Sequence, residues 1–257
     1  MPSKKLKGRS LIGGHFSVKD PEKFKRAITL LRESLVEGAS ATMFSADNLI
    51  TWNRNLSFLR DDFYLEILNN KSATVVEKTI IWRTYILLYF CKLAIHTRGD
   101  FMELGCYQGS TVFQIIKGTN FKKQDRRYYL YDLFGWKEGD EHSYFAGHDD
   151  PKMYENVSEK FSAFPFVRVI KGSVPDSFNE GVPDKVAFAH IDMNHPVAES
   201  GALEIILPKL SSGGVIILDD YGWWGYSSQK IALDPIASKH DLEILELPTG
   251  QGLLIKP

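Results

Sequence analysis

Phe101-Met-Glu-Leu-Gly-Cys-Tyr-Gln-Gly109 indicates the fold more clearly than any other part of the chain. Its apolar first half predicts a β-strand, its two glycines predict a tight turn, and residues 110–117 continue with the spacing of a helix. Repeated units of strand, turn and helix build an open parallel α/β sheet, in which ligands bind outside the carboxyl ends of the strands. The stretch therefore predicts a fold class and the position of a ligand site.

The same alternation continues toward the C-terminus. Short apolar runs predict strands at residues 128–133, 166–170, 186–191 and 215–218. Helical stretches separate them, at residues 151–164, 199–210 and 228–240. Two last runs, joined by a short glycine-containing turn, predict a hairpin at residues 242–247 and 253–255. The prediction is an α/β, Rossmann-like fold with a seven-stranded, mostly parallel sheet and a C-terminal antiparallel hairpin, typical of class I S-adenosylmethionine (SAM) methyltransferases.

The first hundred residues follow a different pattern. Asp20-Pro21 predicts the start of a helix, since Asp is a common N-cap and proline fits the first turn, and Gly38 predicts its end. Residues 56–68 and 75–96 predict a shorter and a longer helix, and no run alternates like a strand. We therefore expect a helical N-terminal cap over residues 1–97 and the α/β domain over residues 98–257.

Composition excludes several classes of protein. The 44% apolar and 25% charged residues are those of an ordinary globular chain, and the net charge of −1 offers no general attraction to nucleic acid. Cys91 and Cys106 are too few for a disulfide framework or a four-cysteine zinc site. The most apolar run, residues 80–95, is too short and too charged to span a bilayer, and no signal-peptide pattern opens the chain. We expect a soluble cytoplasmic protein without a nucleic-acid partner.

The glycine turn differs from a dinucleotide fingerprint in its first position. Glu103 stands where the G-x-G-x-x-G pattern has its first glycine, and an acid there would repel a pyrophosphate. The acid attracts a cation instead, such as the amino group of SAM, directly or through water, while the glycines let the backbone approach the ligand. We assign five residues to SAM binding: Glu103, Gly105, Tyr107, Gly109 and Ser110. A purely structural turn is the alternative.

The next two strands supply further cofactor candidates. Asp132 ends the strand after the turn, where a carboxylate can accept hydrogen bonds from ribose hydroxyls. Its alternative role is to cap the turn that follows it. Ser173 follows the third strand and is a candidate for the rim of the adenine site, although a surface turn explains it equally well.

Carboxylates gather at the ends of the fourth and fifth strands. The fourth ends His190-Ile-Asp192-Met-Asn194, and the fifth ends Asp219-Asp220-Tyr221. Neighbouring parallel strands bring Asp192, Asp219 and Asp220 to one edge, where three carboxylates repel one another unless a cation is present. Mg²⁺ prefers oxygen ligands and removes this conflict. We assign the three aspartates as metal ligands; a helix cap or a pair with a lysine is the alternative.

A metal at this edge suits the methylation of a hydroxyl. Two adjacent substrate oxygens can chelate the ion, which lowers the pKa of one and fixes it in line with the methyl sulfonium. Asp192 is therefore a candidate for the catalytic and cofactor-facing residues as well as for the metal ligands. The predicted reaction is the SAM-dependent, Mg²⁺-assisted methylation of a sugar or another vicinal diol in a small-molecule or glycan pathway.

Several motifs resemble the macrocin O-methyltransferase (TylF-like) family. Besides the glycine turn they are Tyr131-Asp132-Leu-Phe-Gly135, His190-Ile-Asp192, Pro208-Lys-Leu-Ser-Ser-Gly-Gly214, Asp219-Asp220-Tyr-Gly222 and Leu247-Pro-Thr-Gly-Gln-Gly-Leu-Leu-Ile-Lys256. The resemblance covers residues 95–257, and residues 48–61 with Trp82-Arg83 resemble the helical N-terminal portion of the family. It implies a sugar hydroxyl as the methyl acceptor, SAM as the donor, and Mg²⁺ held by Asp192, Asp219 and Asp220.

One position departs from that family. The family pattern after the fourth strand often reads Asp-x-Asp, with the second acid suited to act as general base, whereas this chain has Asn194. An amide cannot accept a proton at neutral pH. His195, next to it, is the candidate base that we retain. His142 and His148 lie in a polar insert, residues 139–150, which stands where a substrate lid could close.

Two other hypotheses stay open. A degenerate methyltransferase-like domain that binds a ligand or partner without turnover is favoured by Asn194. A nicotinamide-dependent oxidoreductase is opposed by Glu103 and by the C-terminal hairpin.

Trp223, Trp224 and Tyr226 are candidates for stacking on a sugar, or for ordinary packing. Aromatic residues of the N-terminal part can equally mediate a homodimer.

Overall fold

The computed structural model describes residues 9–136, 138 and 147–257 of the chain. The chain divides into two compact units, Met1–Ile86 and Leu87–Pro257. The division after residue 97 that the sequence predicts stays a prediction. Most of the predicted lid, residues 139–146 with His142, lies outside the described residues. Where the chain is described, none of its helices combines the length and the apolar composition of a membrane span.

The first unit is built mainly from helices. They are α1 (Pro21–Ser34), α2 (Glu37–Ser40), α3 (Asp62–Asn69), α4 (Val75–Thr79) and the start of α5 (Ile81–Ala94), with a 3-10 turn at Ser57–Arg60. Asp20 caps α1 as predicted, because its Oδ1 accepts a hydrogen bond from the backbone N of Lys23 at 2.9 Å. Gly38 does not end this helix. Leu35 already has extended backbone, so α1 stops at Ser34, and Gly38 lies within α2.

The first unit also contains a small sheet that the sequence pattern does not predict. Its strands, in spatial order, are β1 (Leu11–Ile12), β2 (Phe44–Ala46) and β3 (Leu49–Thr51). Strands of two or three residues are too short to show an alternation of apolar and polar residues. The long helix predicted over residues 75–96 is divided into α4 and α5, because Ile80 leaves the helical conformation.

The second unit contains the predicted seven-stranded sheet. Its strands are β4 (Asp100–Leu104), β5 (Tyr128–Asp132), β6 (Val167–Lys171), β7 (Val186–Ile191), β8 (Leu210–Leu218), β9 (Leu245–Glu246) and β10 (Gly252–Ile255). They lie in the order β6-β5-β4-β7-β8-β10-β9, parallel from β6 to β8 and antiparallel at β10 and β9. The helices between them are α6 (Ser110–Thr119), α7 (Met153–Phe161), α8 (Pro196–Ile206) and α9 (Ser227–Ser238). The predicted Rossmann-like α/β fold with a C-terminal hairpin is confirmed.

The two central strands determine where a ligand can bind. Every residue of β7 is buried, and β4 is buried from Phe101 to Leu104, as expected for parallel strands with helices on both faces. The chain passes from β4 outward to β5 and β6 before it returns to β7 on the other side of β4. The strand order therefore reverses between β4 and β7, and ligands of such sheets bind in the crevice at this switch point.

Candidate active site

Glycine shapes the backbone of the cofactor turn, residues 105–109. Gly105 has a φ of +84°, and a Cβ on it would lie 1.9 Å from the carbonyl oxygen of Asp192. Gly109 has a φ of +68°, and a Cβ there would lie 2.4 Å from the ring of Phe161. Conformation and space both exclude a side chain at these positions. The turn therefore lies directly against the residue that follows β7.

Asp132 holds this turn from the neighbouring strand. Its Oδ2 accepts a hydrogen bond from the backbone N of Tyr107 at 2.7 Å, where the backbone has a left-handed φ of +48°. Its Oδ1 accepts a hydrogen bond from the backbone N of Phe134 at 2.7 Å, which is the turn cap considered as its alternative role. An ionised carboxylate accepts about four hydrogen bonds, so acceptor capacity for ribose hydroxyls remains.

The other cofactor candidates lie around the same edge of the sheet. Ser110 is the first residue of α6. Ser173 is exposed on the loop after β6, and its Oγ donates a hydrogen bond to Oδ2 of Asp176 at 3.1 Å. The backbone N of Gly172 donates to the carbonyl oxygen of Asp132 at 2.9 Å and joins this loop to the end of β5. Ser173 thus belongs to a surface turn beside β5, a position compatible with both of its predicted roles.

Glu103 has surroundings that the sequence does not predict. The residue is only 2% exposed. Its Oε1 lies 3.5 Å from Nδ1 of His190, and its Oε2 accepts a hydrogen bond from the hydroxyl of Tyr128 at 3.4 Å. Strand register explains the pair, because Glu103 on β4 lies opposite His190 on β7. Glu103 is a buried partner of His190 behind the cofactor turn, and its contact with SAM stays a prediction.

The metal-side residues meet at the ends of β7 and β8. His190, Asp192 and Asp219 each offer one ligand atom, and these atoms lie within 4.8 Å of one another. The backbone N of Asp192 donates to the carbonyl oxygen of Leu104 at 2.8 Å. The backbone N of Asp219 donates to the carbonyl oxygen of Ile191 at 2.9 Å. These bonds set the strand ends side by side, so two of the three predicted ligands are adjacent and His190 joins them.

Asp220, the third predicted ligand, is not in the group formed by the described residues at this edge. It is half-buried, and its carbonyl oxygen accepts a hydrogen bond from the backbone N of Trp223 at 3.1 Å, which begins the turn after β8. Asp219 and Asp220 both stand in the turn after β8, which ends at Leu218. Metal binding by Asp220 stays a prediction.

His190 lies between two carboxylates. Its Nδ1 faces Glu103, and its Nε2 lies 3.4 Å from Oδ1 of Asp219. Burial lowers the pKa of this imidazole, but the charges of Glu103 and Asp219 and their hydrogen bonds outweigh burial and raise the pKa of His190 well above its usual value. By its position, His190 contacts Asp219 and also offers a ligand atom in the same group as Asp192 and Asp219.

The predicted general base, His195, caps α8. Its Nδ1 accepts a hydrogen bond from the backbone N of Ala198 at 3.1 Å. Asn194 has a φ of +54° and buries its Oδ1, which has no hydrogen-bond partner within the described part of the chain. His148 is buried against Tyr107, with 5.1 Å between the ring centroids. The capping bond occupies one ring nitrogen of His195, and its catalytic role stays a prediction.

Glu199 supports the loop that follows β7. Its carboxylate accepts hydrogen bonds from the backbone of residues 193–195, and Nε2 of Gln229 on α9 donates to its Oε1 at 3.0 Å. Burial outweighs these donors and, together with the negative charge of Asp220, raises the pKa of Glu199 to about 8. The carboxyl group of Glu199 therefore supports the loop between Asp192 and α8 from inside the protein.

Three buried polar residues of this region have no role predicted from the sequence: His190, Glu199 and Gln251. For His190 the sequence indicates only a strand next to the one that contains Glu103, and the register that pairs the two residues comes from the structure. Glu199 and Gln251 have no comparable signal, because each is a single polar residue whose partner lies 30 or more positions away, at Gln229 or Asp219.

Residues 102–221 match a family described as a methyltransferase domain. The matched region contains the cofactor turn, Asp132 and the candidate metal ligands. The match supports SAM as the methyl donor and confirms the predicted enzyme class, a SAM-dependent methyltransferase. The narrower resemblance to the macrocin O-methyltransferase family stays a prediction. Among curated protein sequences, none matches the chain significantly.

Solved structures of methyltransferases share the fold. The O-methyltransferase NovP superposes with a TM-score of 0.56 at 21% sequence identity, over 68% of this chain and 80% of its own. CalS11, a TDP-rhamnose 3'-O-methyltransferase of calicheamicin biosynthesis, superposes with a TM-score of 0.53 at 15% identity, over 77% of this chain and 93% of its own. Likeness at such identities establishes the fold.

Proposed function

We propose that the chain is an O-methyltransferase that transfers the methyl group of SAM to a hydroxyl of a sugar or another vicinal diol, assisted by Mg²⁺. The observation that carries this proposal is the contact between the cofactor turn and the carboxylates at the ends of β7 and β8. Gly105 of the cofactor turn lies against the backbone of Asp192. The carboxylate oxygens that Asp192 and Asp219 offer to a metal lie within 4.8 Å of each other. A donor on the turn and a hydroxyl on a cation would therefore be neighbours, as direct transfer requires.

The donor site is assigned to the turn and the ends of β4 to β6. The backbone of Gly105, Tyr107 and Gly109, with Ser110 at the start of α6, faces the methionine part of SAM. Asp132 accepts hydrogen bonds from the ribose hydroxyls and also holds Tyr107 in place. Ser173 borders the adenine.

The acceptor side is assigned to the carboxylates. Asp192 and Asp219 are hard oxygen donors that fit Mg²⁺, with Asp220 as a third candidate next to them. Bound there, the ion would lower the pKa of a chelated hydroxyl. His190 holds Asp219 from inside the sheet, so that this carboxylate keeps one orientation. NovP and CalS11 support the acceptor class, since both are O-methyltransferases and CalS11 acts on a TDP-sugar.

Proton removal depends on fewer groups than in the macrocin family. Asn194 replaces the expected acid, and His195 is the retained candidate for the proton acceptor. The sulfonium of SAM is an excellent leaving group, so positioning of the hydroxyl and the fall in its pKa supply most of the rate. A weak proton acceptor is then sufficient.

Calorimetry with SAM and S-adenosylhomocysteine (SAH) tests the donor site. We expect binding of both, and the absence of heat for either at millimolar ligand would contradict the proposal. Transfer of a labelled methyl group to a panel of nucleotide sugars, in Mg²⁺ or in EDTA, tests the acceptor side. Full activity in EDTA would contradict the role of Mg²⁺, whereas the proposed methyl transfer from SAM would stand.

A binding protein without turnover is the second candidate function, and Asn194 is the observation that favours it. Its expected behaviour is stoichiometric SAM binding with no transfer to any diol, in either the presence or the absence of Mg²⁺. The nicotinamide-dependent hypothesis has lost its support, because residues 102–221 match a methyltransferase domain.

A further inference from the structure

The C-terminal hairpin reaches the metal side through one buried side chain. Gln251 is 0% exposed and stands immediately before β10. Its Nε2 donates a hydrogen bond to Oδ1 of Asp219 at 3.0 Å. Its Oε1 accepts one from the hydroxyl of Thr249 at 3.0 Å, which decides which end of the amide faces Asp219. Both ends of a buried amide are thus satisfied, one of them by a candidate metal ligand.

The turn that carries Gln251 is held in place by backbone bonds. Leu247 N donates to the carbonyl oxygen of Gln251 at 2.8 Å, and Gly250 N donates to that of Leu247 at 2.9 Å. Gly222 N donates to the carbonyl oxygen of Gly250 at 2.7 Å. This last bond ties the hairpin turn to the segment that begins at Asp219. Gln251 therefore approaches Asp219 from a support that is itself attached to the same strand end.

The oxygen of Asp219 that accepts from Gln251 is also contacted by His190, on the neighbouring strand β7. Nε2 of His190 lies 3.4 Å from Oδ1, and Glu103 lies behind His190. Two partners, one on β7 and one next to β10, therefore restrain this oxygen of Asp219. The amide of Gln251 does this without a positive charge of its own, whereas a lysine or arginine in its place would compete with a cation.

We propose that Gln251 is a positioning residue that fixes the carboxylate of Asp219 for the divalent cation. The proposal rests on the metal-assisted function above and assigns part of the cation affinity to the C-terminal hairpin. Groups that hydrogen-bond a ligating carboxylate typically change metal affinity by about 10- to 100-fold when they are removed.

The test is a calorimetric titration of Mg²⁺ into the SAH-bound protein. Gln251→Met keeps the length of the side chain and removes the donor, so we expect the Mg²⁺ dissociation constant to rise about 10- to 100-fold while that of SAH stays unchanged. In turnover, KM for Mg²⁺ should rise and kcat should recover at saturating Mg²⁺. The matched control is Gln124→Met, which makes the same change at a half-buried glutamine before the first residue of β5, at the opposite end of the sheet from Asp219, and should leave Mg²⁺ affinity unchanged.

Each outcome decides the proposal. Unchanged Mg²⁺ affinity in a Gln251→Met protein that still binds SAH would overturn it, as would an equal loss in Gln124→Met. Where Gln251→Met does not fold, Thr249→Val removes only the bond that orients the amide, and a smaller loss of Mg²⁺ affinity is required. A wild-type protein that binds SAH but neither Mg²⁺ nor Mn²⁺ overturns the positioning role and leaves a metal-free methyltransferase. A protein that does not bind SAH contradicts the proposed function itself.

Discussion

The cofactor turn and the metal side lie at the same end of the sheet, but different features of the chain specify them. The turn depends on backbone conformation within five consecutive residues, where Gly105 and Gly109 permit what no other residue permits. The metal side depends on side chains from separate strands, with Asp219 held between His190 and Gln251. A local pattern can be read from one sequence, whereas a set of distant side chains requires the strand register.

The largest expected effect comes from breaking the turn. Gly105→Ala places a Cβ 1.9 Å from the carbonyl oxygen of Asp192 at a φ of +84°, so the turn and the end of β7 must separate. We expect a loss of about 4 kcal/mol or more in the free energy of unfolding, and no binding of SAH. Urea unfolding and calorimetry measure both.

Gly225→Ala is the matched control, because a Cβ on Gly225 has no neighbour within 4 Å. Its free energy of unfolding should change by less than about 0.5 kcal/mol. Wild-type stability in Gly105→Ala would show that the turn is not shaped by its contact with Asp192.

Removing the charge of Asp219 should leave the cofactor turn intact and greatly slow catalysis. Asp219→Asn keeps the shape of the side chain but loses the anionic donor, so kcat/KM should fall about a thousandfold, near 4 kcal/mol, while SAH affinity is retained. Asp241→Asn, on an exposed turn, is the control and should be fully active. A parallel loss of SAH binding in Asp219→Asn would mean that the two regions are not separately specified.

The sequence predicts the fold better than the arrangement of side chains. The run Val186–Ile191 is predicted with the bounds it has in the structure, because five of its six residues are apolar and a strand inside a parallel sheet is buried on both faces. The adjacency of Asp192 and Asp219 also follows from strand order. The pairing of Glu103 with His190 does not, because it depends on register across two strands. The small sheet β1–β3 has strands too short for any periodic signal.

The brace behind the metal side predicts a pH dependence of stability. The folded pKa of Glu199 is raised from 4.5 to about 8, so between these values the unfolded chain releases a proton that the folded chain keeps. The free energy of unfolding should therefore fall as the pH rises through this window and level off above it. Glu199→Gln does not titrate, so we expect wild type to lose about 3 kcal/mol relative to the variant between pH 5 and pH 8. Urea unfolding across this range measures it, and parallel curves would contradict the assignment.

The smallest expected effect is at Tyr128, the last residue in the series of buried contacts that runs from Asp219 through His190 and Glu103. Tyr128→Phe removes a hydroxyl that donates to Glu103 over a long 3.4 Å, so the free energy of unfolding should fall by about 0.5–1 kcal/mol. Affinities for SAH and Mg²⁺ should be those of wild type in calorimetry. A loss of Mg²⁺ affinity as large as that of Gln251→Met would extend the metal side across β4 to β5.

We propose that a SAM site and a divalent-cation site share the crevice at the ends of β4, β7 and β8. A crystal structure with SAH and Mn²⁺ tests it most directly, because the anomalous signal identifies the ion. We predict SAH against Gly105–Gly109 and Asp132, and an anomalous peak within about 2.3 Å of carboxylate oxygens of both Asp192 and Asp219. SAH bound elsewhere, or a crevice with SAH and no anomalous peak beside these two aspartates, would contradict the account.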